Sequence, residues 1–396
     1  MKTEDSGKKL VCLFGSGISR KAGMPGTHEM SQELLSLREF HRTGVSVYRA
    51  GLLPKLGYFE SPKEKANRLA ITAIVAAVLE LVRKELSERW ATPPAPTYED
   101  AYFLLDRLAT AELGGLDDPL TVLGRRWLSR KVRTEVRSAG VDFSQLLHEA
   151  TNCLSDLAWE MLDKPVGCTG YLEELVRALC NQVDRTELCI VTTNHDLVLE
   201  RVFELLQIPY CDGFCQPDGS DVPLWRSGVF DTQADSVKLL KIHGSVDWFS
   251  LMPGEDWNFK RETARCLCGG LHRLPDGKYW RMRDFRPLIL LGTYNKPDRY
   301  TAGMFAELFC RWRAALMNSR RLLISGFGFG DHAITRLIMN WAYTDRDRRM
   351  LVVSPSEPVA FPDSWNGELV ENGILRMVKE KIEDVDWVEI ASELDL

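Results

Sequence analysis

Apolar residues along this chain fall into two rhythms. Nearly unbroken runs at Leu10-Val11-Cys12-Leu13-Phe14, Leu188-Cys189-Ile190-Val191, Leu239-Leu240-Lys241-Ile242 and Leu322-Leu323-Ile324 each stop abruptly on glycine or polar residues. Runs of that kind predict strands covered on both faces, as in a parallel sheet. Strands are expected at 9–14, 188–193, 237–242, 287–291, 321–325 and 349–353. The second rhythm is helical. Met30, Leu34, Leu35 and Leu37 follow a capping Thr27, and helical spacing recurs at 64–90, 98–112, 119–137, 142–163 and 170–183. After 188, helices alternate with strands, using Leu197, Val198, Phe203 and Leu206, then Ile334, Leu337, Ile338 and Trp341 behind a capping Asp331. The pattern predicts an α/β fold: a doubly wound, Rossmann-like parallel sheet from residues 1–40 and 186–396, interrupted by a large helical insertion domain over 41–185. Within that insertion the 64–90 helix carries Leu69, Ala73, Ala76, Ala77, Leu79, Leu81 and Val82 around much of its circumference. It must be buried by its own domain or by another subunit. A proline-rich stretch at 92–97 ends it.

Composition narrows the setting. The 396 residues are 45% hydrophobic and 27% charged, with a net charge of -6, which leaves room for a large core and argues against nucleic-acid binding through a basic surface. Local basic patches such as Arg346-Asp347-Arg348-Arg349 remain. Residues 1–9 are polar and lack the apolar centre of a secretory signal, and the most apolar helical stretch, 69–82, falls short of the roughly 20 residues that span a membrane. The expected location is the cytoplasm, with no membrane partner. The ten cysteines then read as reduced thiols, with Cys12, Cys180 and Cys189 in core patterns. Metal binding is not expected: Cys211 and Cys215 would have to pair with Cys266 and Cys268 across a poor spacing. Trp225, Trp248 and Phe249 follow strand ends and read as core more readily than as a pocket mouth.

Four strand ends carry the chemistry. Gly15-Ser16-Gly17-Ile18-Ser19, followed by Gly23-Met24-Pro25, is a glycine loop that suits a nucleotide: its glycines permit tight turns and close approach, and its serines add donors. Arg20 stands where the ordinary dinucleotide fingerprint has its third glycine, so a dehydrogenase is a poor fit. Thr192-Thr193-Asn194-His195-Asp196 ends a second strand, His243-Gly244-Ser245 a third, and Ser325-Gly326-Phe327-Gly328-Phe329-Gly330-Asp331 a fourth. In an open parallel sheet such ends face one crevice. Together, and in this order, they resemble the sirtuin family. Its Gly-Ala-Gly-x-Ser with a downstream Gly-x-Pro matches residues 15–25 apart from Ser16, its Thr-x-Asn-x-Asp matches 192–196, and its His-Gly matches 243–244. The departures matter too. Gly26-Thr27 replaces the usual Phe-Arg, no Cys-x-x-Cys pair occurs, and the last loop differs from the usual Gly-Thr-Ser. These departures resemble the divergent bacterial branch that hydrolyses NAD in antiviral defence.

That resemblance implies NAD as substrate, with nicotinamide and ADP-ribose as products. It implies catalytic roles for Asn194, holding the nicotinamide ribose and a water, and for His243, taking a proton. The dinucleotide would contact Gly15, Ser16, Gly17, Ser19, Pro25, Thr193, Asp196, Gly244, Ser245, Gly326, Gly328 and Asp331. His195 reads as a neighbour of the asparagine rather than the base. A homo-oligomer is expected, with a separate partner such as a translocase-type ATPase. Two other readings stay open: NAD-dependent deacylation or ADP-ribosyl transfer, against which the missing cysteine pairs argue, and a non-catalytic subunit that senses NAD or ADP-ribose, against which the pairing of Asn194 with His243 argues. Taken singly, a buried histidine closing a strand and an asparagine in a turn are the plainer readings of these two residues.

Overall fold

Continuous apolar strands need cover on both sides, and this chain supplies it. The structure, a computed structural model, describes residues 9–51, 60–89, 95–110, 119–233, 235–253, 261–356, 363–388 and 390. Seven strands form the central sheet: β1 (Leu10–Phe14), β2 (Leu188–Thr192), β3 (Tyr210–Cys211), β4 (Val237–Lys241), β5 (Arg321–Ser325), β6 (Arg349–Val353) and β7 (Leu375–Val378). Their spatial order is β7-β6-β5-β1-β2-β4-β3, and every pairing is parallel. Alternate residues of β1 enter opposite cores. Leu10, Cys12 and Phe14 pack with helices Gly170–Gln182 and Val198–Leu206, whereas Val11 and Leu13 pack with helices Gly303–Met317 and His332–Ala342. This period-two division is what makes the sheet doubly wound.

The chain leaves β1 toward β2 on one side, and later places β5 on the other. The order therefore reverses at β1, and in open parallel sheets it is beyond the carboxyl ends of the strands at such a point that ligands bind. Register sets what lies there. Phe14 lies opposite both Ser325 and Thr192, and Thr192 lies opposite Lys241. Gly15 and Gly326 are thus equivalent positions on neighbouring strands, as are Asn194 and His243.

Two compact units divide the chain: residues 1–26, 164–290 and 296–396 form one, and 27–163 with 291–295 the other. These boundaries differ from 40/41 and 185/186. Helix Gly170–Gln182 belongs with the sheet because Leu172, Leu175, Val176 and Leu179 sit in its core, and helix Thr27–Ser36 groups with the helical unit. In that helical unit, helices Pro62–Arg89, Tyr98–Thr110, Pro119–Lys131, Arg133–Ala139 and Phe143–Leu162 accompany a small hairpin of Phe40–Arg42 and Tyr48–Ala50. The long 62–89 helix buries Ala70, Ile71, Ile74, Ala77, Val78 and Leu79 within the chain, while Leu69 is 49% exposed and Ala76 is exposed. Burial within the chain thus takes in about half of the circumference. Parts of two expectations, the break at 92–97 and the end of the 98–112 helix, lie outside the described residues.

Two features depart from the strands expected from sequence. The unit that holds the central sheet also contains a six-stranded antiparallel sheet, from Phe214–Cys215 to Tyr279–Met282. The apolar 287–291 run makes no strand but a single antiparallel bridge between Ile289 and Gly244. Its backbone clamps the end of β4 instead: Ser245 N–H donates to Leu288 O at 3.2 Å, and Leu290 N–H to His243 O at 2.8 Å.

Candidate active site

The two glycine loops explain each other. A Cβ at Gly15 would lie 2.5 Å from Gly326 O, and one at Gly17 2.6 Å from Gly326 Cα. Gly326 itself has φ +66°, and a Cβ there would lie 2.5 Å from Ile18 N. Loops after adjacent strands thus touch backbone to backbone, which only glycine allows. The amides are used in the same contact: Gly15 N–H donates to Ser325 O and Gly17 N–H to Gly326 O, both at 3.0 Å, while Ile18 N–H closes onto Gly15 O. These glycines let the two loops pack directly on each other. Gly328 is different. It is exposed, and nothing lies within 4 Å of its Cβ direction.

Asn194 is held from both sides. Its backbone N–H donates to Thr192 Oγ1, whose hydroxyl donates to Phe14 O, each at 3.0 Å. Its side-chain Nδ2 donates to Gly15 O at 3.1 Å and to Ser19 Oγ at 2.9 Å, and Ser19 also bonds to the Asp196 carboxylate. Since a carbonyl only accepts, the amide orientation is fixed by chemistry. That leaves Asn194 Oδ1, which is buried and has no hydrogen-bond partner. A buried acceptor without a donor marks a place where a hydroxyl or water is wanted. Asp196 faces inward: its Oδ1 accepts from Val198 N–H at 3.1 Å, and burial raises its carboxyl above the usual range, against the pull of Lys241. It is therefore an orienting residue.

His243 extends from the neighbouring strand. Gly244 follows it at φ +86°, where a Cβ would lie 1.9 Å from Leu288 O, so the turn that presents the ring requires glycine. The buried ring places Nε2 2.7 Å from Tyr300 Oη and 3.2 Å from Asp331 Oδ2, with Tyr300 Oη 3.3 Å from the same carboxylate oxygen. Burial, then the nearby Lys296 ammonium, lowers the His243 pKa to about 4, although Asp331 pulls the other way. The imidazole is neutral at pH 7. Asp331 has two duties. Its Oδ1 caps helix His332–Ala342 by accepting from Ala333 and Ile334 N–H, and its Oδ2 turns to the ring. Burial raises its carboxyl, but the hydrogen bond and charge of His243, with Lys296, outweigh that and bring it to about 2. Phe329, two residues before Asp331, is buried and held at φ +60°, in the left-handed region.

Other residues singled out from sequence fall in two groups. Ser16, Gly17, Pro25 and Thr193 are half-buried, whereas Ser245 is fully buried with its hydroxyl 3.4 Å from His195 O. His195 is buried with an unpartnered Nδ1, and burial lowers its pKa well below the usual value, helped by His243 and Lys296. Trp248 and Phe249 are core, as read from sequence, and Trp225 is half-buried. Among the described residues, no group of three or more His, Cys, Asp or Glu could hold a metal ion.

Sequence reasoning missed three participants. Tyr300 and Lys296 lie on a short segment with no motif. Lys241 is fully buried at the end of β4, where Nζ donates to Asp196 O at 2.5 Å and to Glu200 Oε1 at 2.7 Å. Burial raises Glu200 to about 7 despite that contact. A lysine inside the apolar run Leu239–Ile242 was the available signal, because a charge there demands a buried partner.

A doubly wound parallel sheet whose order reverses at β1, with glycine loops and an Asn and a His at the ends of adjacent strands, is a Rossmann-like architecture. Residues 188–372 match the family described as SIR2-like domain. Among solved structures, a Sir2 homologue in complex with NAD is 12% identical, with a TM-score of 0.34 over 98% of this chain and 89% of its own. A Sir2 homologue mutant with 2′-O-acetyl ADP ribose is 12% identical, with a TM-score of 0.36 over 98% and 91%. A third structure, described for the mechanism and regulation of Sir2 enzymes, is 11% identical, with a TM-score of 0.38 over 98% and 93%. A search of curated proteins finds no match.

Proposed function

We propose that this protein is an NAD glycohydrolase, cleaving NAD with water to nicotinamide and ADP-ribose. The observation that carries the reading is the unpartnered, buried Oδ1 of Asn194 beside the strand that presents a neutral imidazole. An acceptor there suits a ribose hydroxyl or the attacking water, and a neutral ring can take the proton. In the reaction, the C–N bond breaks and its electron pair leaves with nicotinamide as a neutral pyridine. The water oxygen bonds to the ribose carbon, and the water's proton passes to His243 and then to solvent. Charge develops on the ribose as in glycoside cleavage, so the protein's task is mainly to position and to accept a proton. Hydrolysis is favoured over deacylation by the absence of any Cys-x-x-Cys pair and of Phe-Arg after Pro25.

The same reading extends to biology: a cytoplasmic effector that depletes NAD on phage infection, held in check by homo-oligomeric assembly or by a partner such as a translocase-type ATPase. Light scattering of the pure chain at micromolar concentration tests the assembly, and a monomer would remove it. For the chemistry, Asn194→Ala should fold, give up two hydrogen bonds worth about 1 kcal/mol each, and lose NAD cleavage. Near-normal turnover by a folded Asn194→Ala variant would contradict the assigned role.

A further inference from the structure

We infer that Tyr300 is a positioning residue of the His243 base: its hydroxyl donates to the Nε2 lone pair in the resting site and turns to Asp331 when that nitrogen takes up a proton. The inference extends the proposed reaction and rests on it only for the source of the proton.

Donor accounting carries it. The backbone of Thr193 also acts on the His243 ring, favouring its protonated form. Thr193 N–H is already donated to Phe14 O at 3.0 Å, so what Thr193 presents to the ring is its carbonyl, which favours a nitrogen that carries a proton. Nε2 faces Tyr300 and Asp331, so the donating nitrogen is Nδ1. In a neutral imidazole the other nitrogen is then an acceptor. An ionised Asp331 cannot donate, which leaves Tyr300 Oη, at 2.7 Å, as the donor to Nε2. The 3.2 Å approach of Asp331 Oδ2 to Nε2 sets a carboxylate against a lone pair, and it becomes a favourable contact only once Nε2 is protonated.

Tyr300 is placed to serve both states. Its hydroxyl is within 3.3 Å of Asp331 Oδ2, so rotation about the C–O bond moves the hydrogen from one acceptor to the other without moving the ring. The ring is fixed: it is buried, stacks on Phe309 at 4.4 Å and 16°, and lies nearly parallel to the His243 ring at 6.2 Å. One proton changes hands. It leaves the reacting hydroxyl or water for Nε2, while Tyr300 keeps its own and Asp331 stays a carboxylate. The other charged or titratable neighbours are Lys296, which opposes a charge on the ring, and His195, whose ring centroid is 6.1 Å away. Asp331 is the charged group that favours the imidazolium, and the Thr193 backbone adds to it.

The test follows the His243 imidazole by NMR across pH in the intact protein without NAD, in wild type, Tyr300→Phe and Asp331→Asn. His243→Gln assigns the resonance among the seven histidines. Phenylalanine keeps the stacking and asparagine keeps the helix cap, so both variants should fold. In Tyr300→Phe the neutral ring loses its donor while the imidazolium keeps Asp331. The His243 pKa should therefore rise from about 4 by roughly half a unit to one unit. Asp331→Asn should lower it. The acid limb of kcat/KM for NAD should move with the NMR value in Tyr300→Phe. An unmoved or lowered pKa in Tyr300→Phe overturns the inference. Failure of wild type to cleave NAD overturns the proposed reaction, while the titration still decides the role of Tyr300.

Discussion

Alanine at Gly17 and alanine at Gly328 should fail in different ways, because the two glycines are needed for different reasons. At Gly17 the new carbon would sit 2.6 Å from Gly326 Cα and 3.2 and 3.3 Å from Gly326 O and C. Carbon atoms prefer roughly 3.5–4.0 Å, so the backbones would have to part by about 1 Å. They are pinned by the 3.0 Å bonds from Gly17 N–H to Gly326 O and from Gly15 N–H to Ser325 O. Overpacking against rigid backbone costs about 1–3 kcal/mol, and losing one of these bonds about 1 kcal/mol more. A loss of about 2 kcal/mol corresponds to a melting temperature lowered by roughly 4–8 °C for a folding unit of this size. Gly328→Ala meets nothing within 4 Å and should melt with wild type. If NAD passes close to this exposed backbone, Gly328→Ala should instead weaken NAD binding about tenfold, a loss of about 1.4 kcal/mol. Differential scanning fluorimetry and isothermal calorimetry separate the two effects. A Gly17→Ala protein as stable as wild type would refute the backbone-contact account of these loops.

Two further outcomes follow from the same residues. The folded-state pKa of His243 is lowered from 6.5 to about 4, so its contribution is fully present above pH 6.5 and is lost as pH falls toward 4; this amounts to about 3 kcal/mol. Urea midpoints at pH 7 and pH 4.5 should therefore differ more in wild type than in His243→Gln, and equal differences would contradict the buried neutral ring. Chelators should change neither the melting temperature nor NAD turnover, since Cys266 is half-buried, Cys268 is exposed and Cys211 is buried in β3; stoichiometric zinc whose removal unfolds the protein would overturn this.

The legible parts of this fold are those where one physical demand dominates. β1, β5 and β6 can be read from sequence to within a residue, because strands buried on both faces are unbroken apolar runs. The 287–291 run looks the same but ends up clamping the His243 turn. Periodicity alone cannot distinguish a strand from an apolar segment that buries itself against one. The antiparallel sheet escaped because its strands are short and mix charges with apolar residues, as in Tyr279–Met282, whose burial alternates. Asn194 and His243 were legible through their motifs and strand ends. Tyr300 was not, since it lies 57 residues beyond His243 and meets it only through the fold. Nor could sequence reveal that Gly15, Gly17 and Gly326 serve one another, because that contact depends on β1 and β5 being neighbours.

The central claim is that the protein cleaves NAD with water. Purified wild-type protein should be incubated with NAD, with and without an acetylated peptide, and the products separated by liquid chromatography and mass spectrometry. The account predicts nicotinamide and ADP-ribose in equal amounts, formed independently of the peptide and absent with His243→Ala. NAD left intact by an assembled, folded protein would contradict it, and so would NAD consumption that requires the peptide and yields acetylated ADP-ribose.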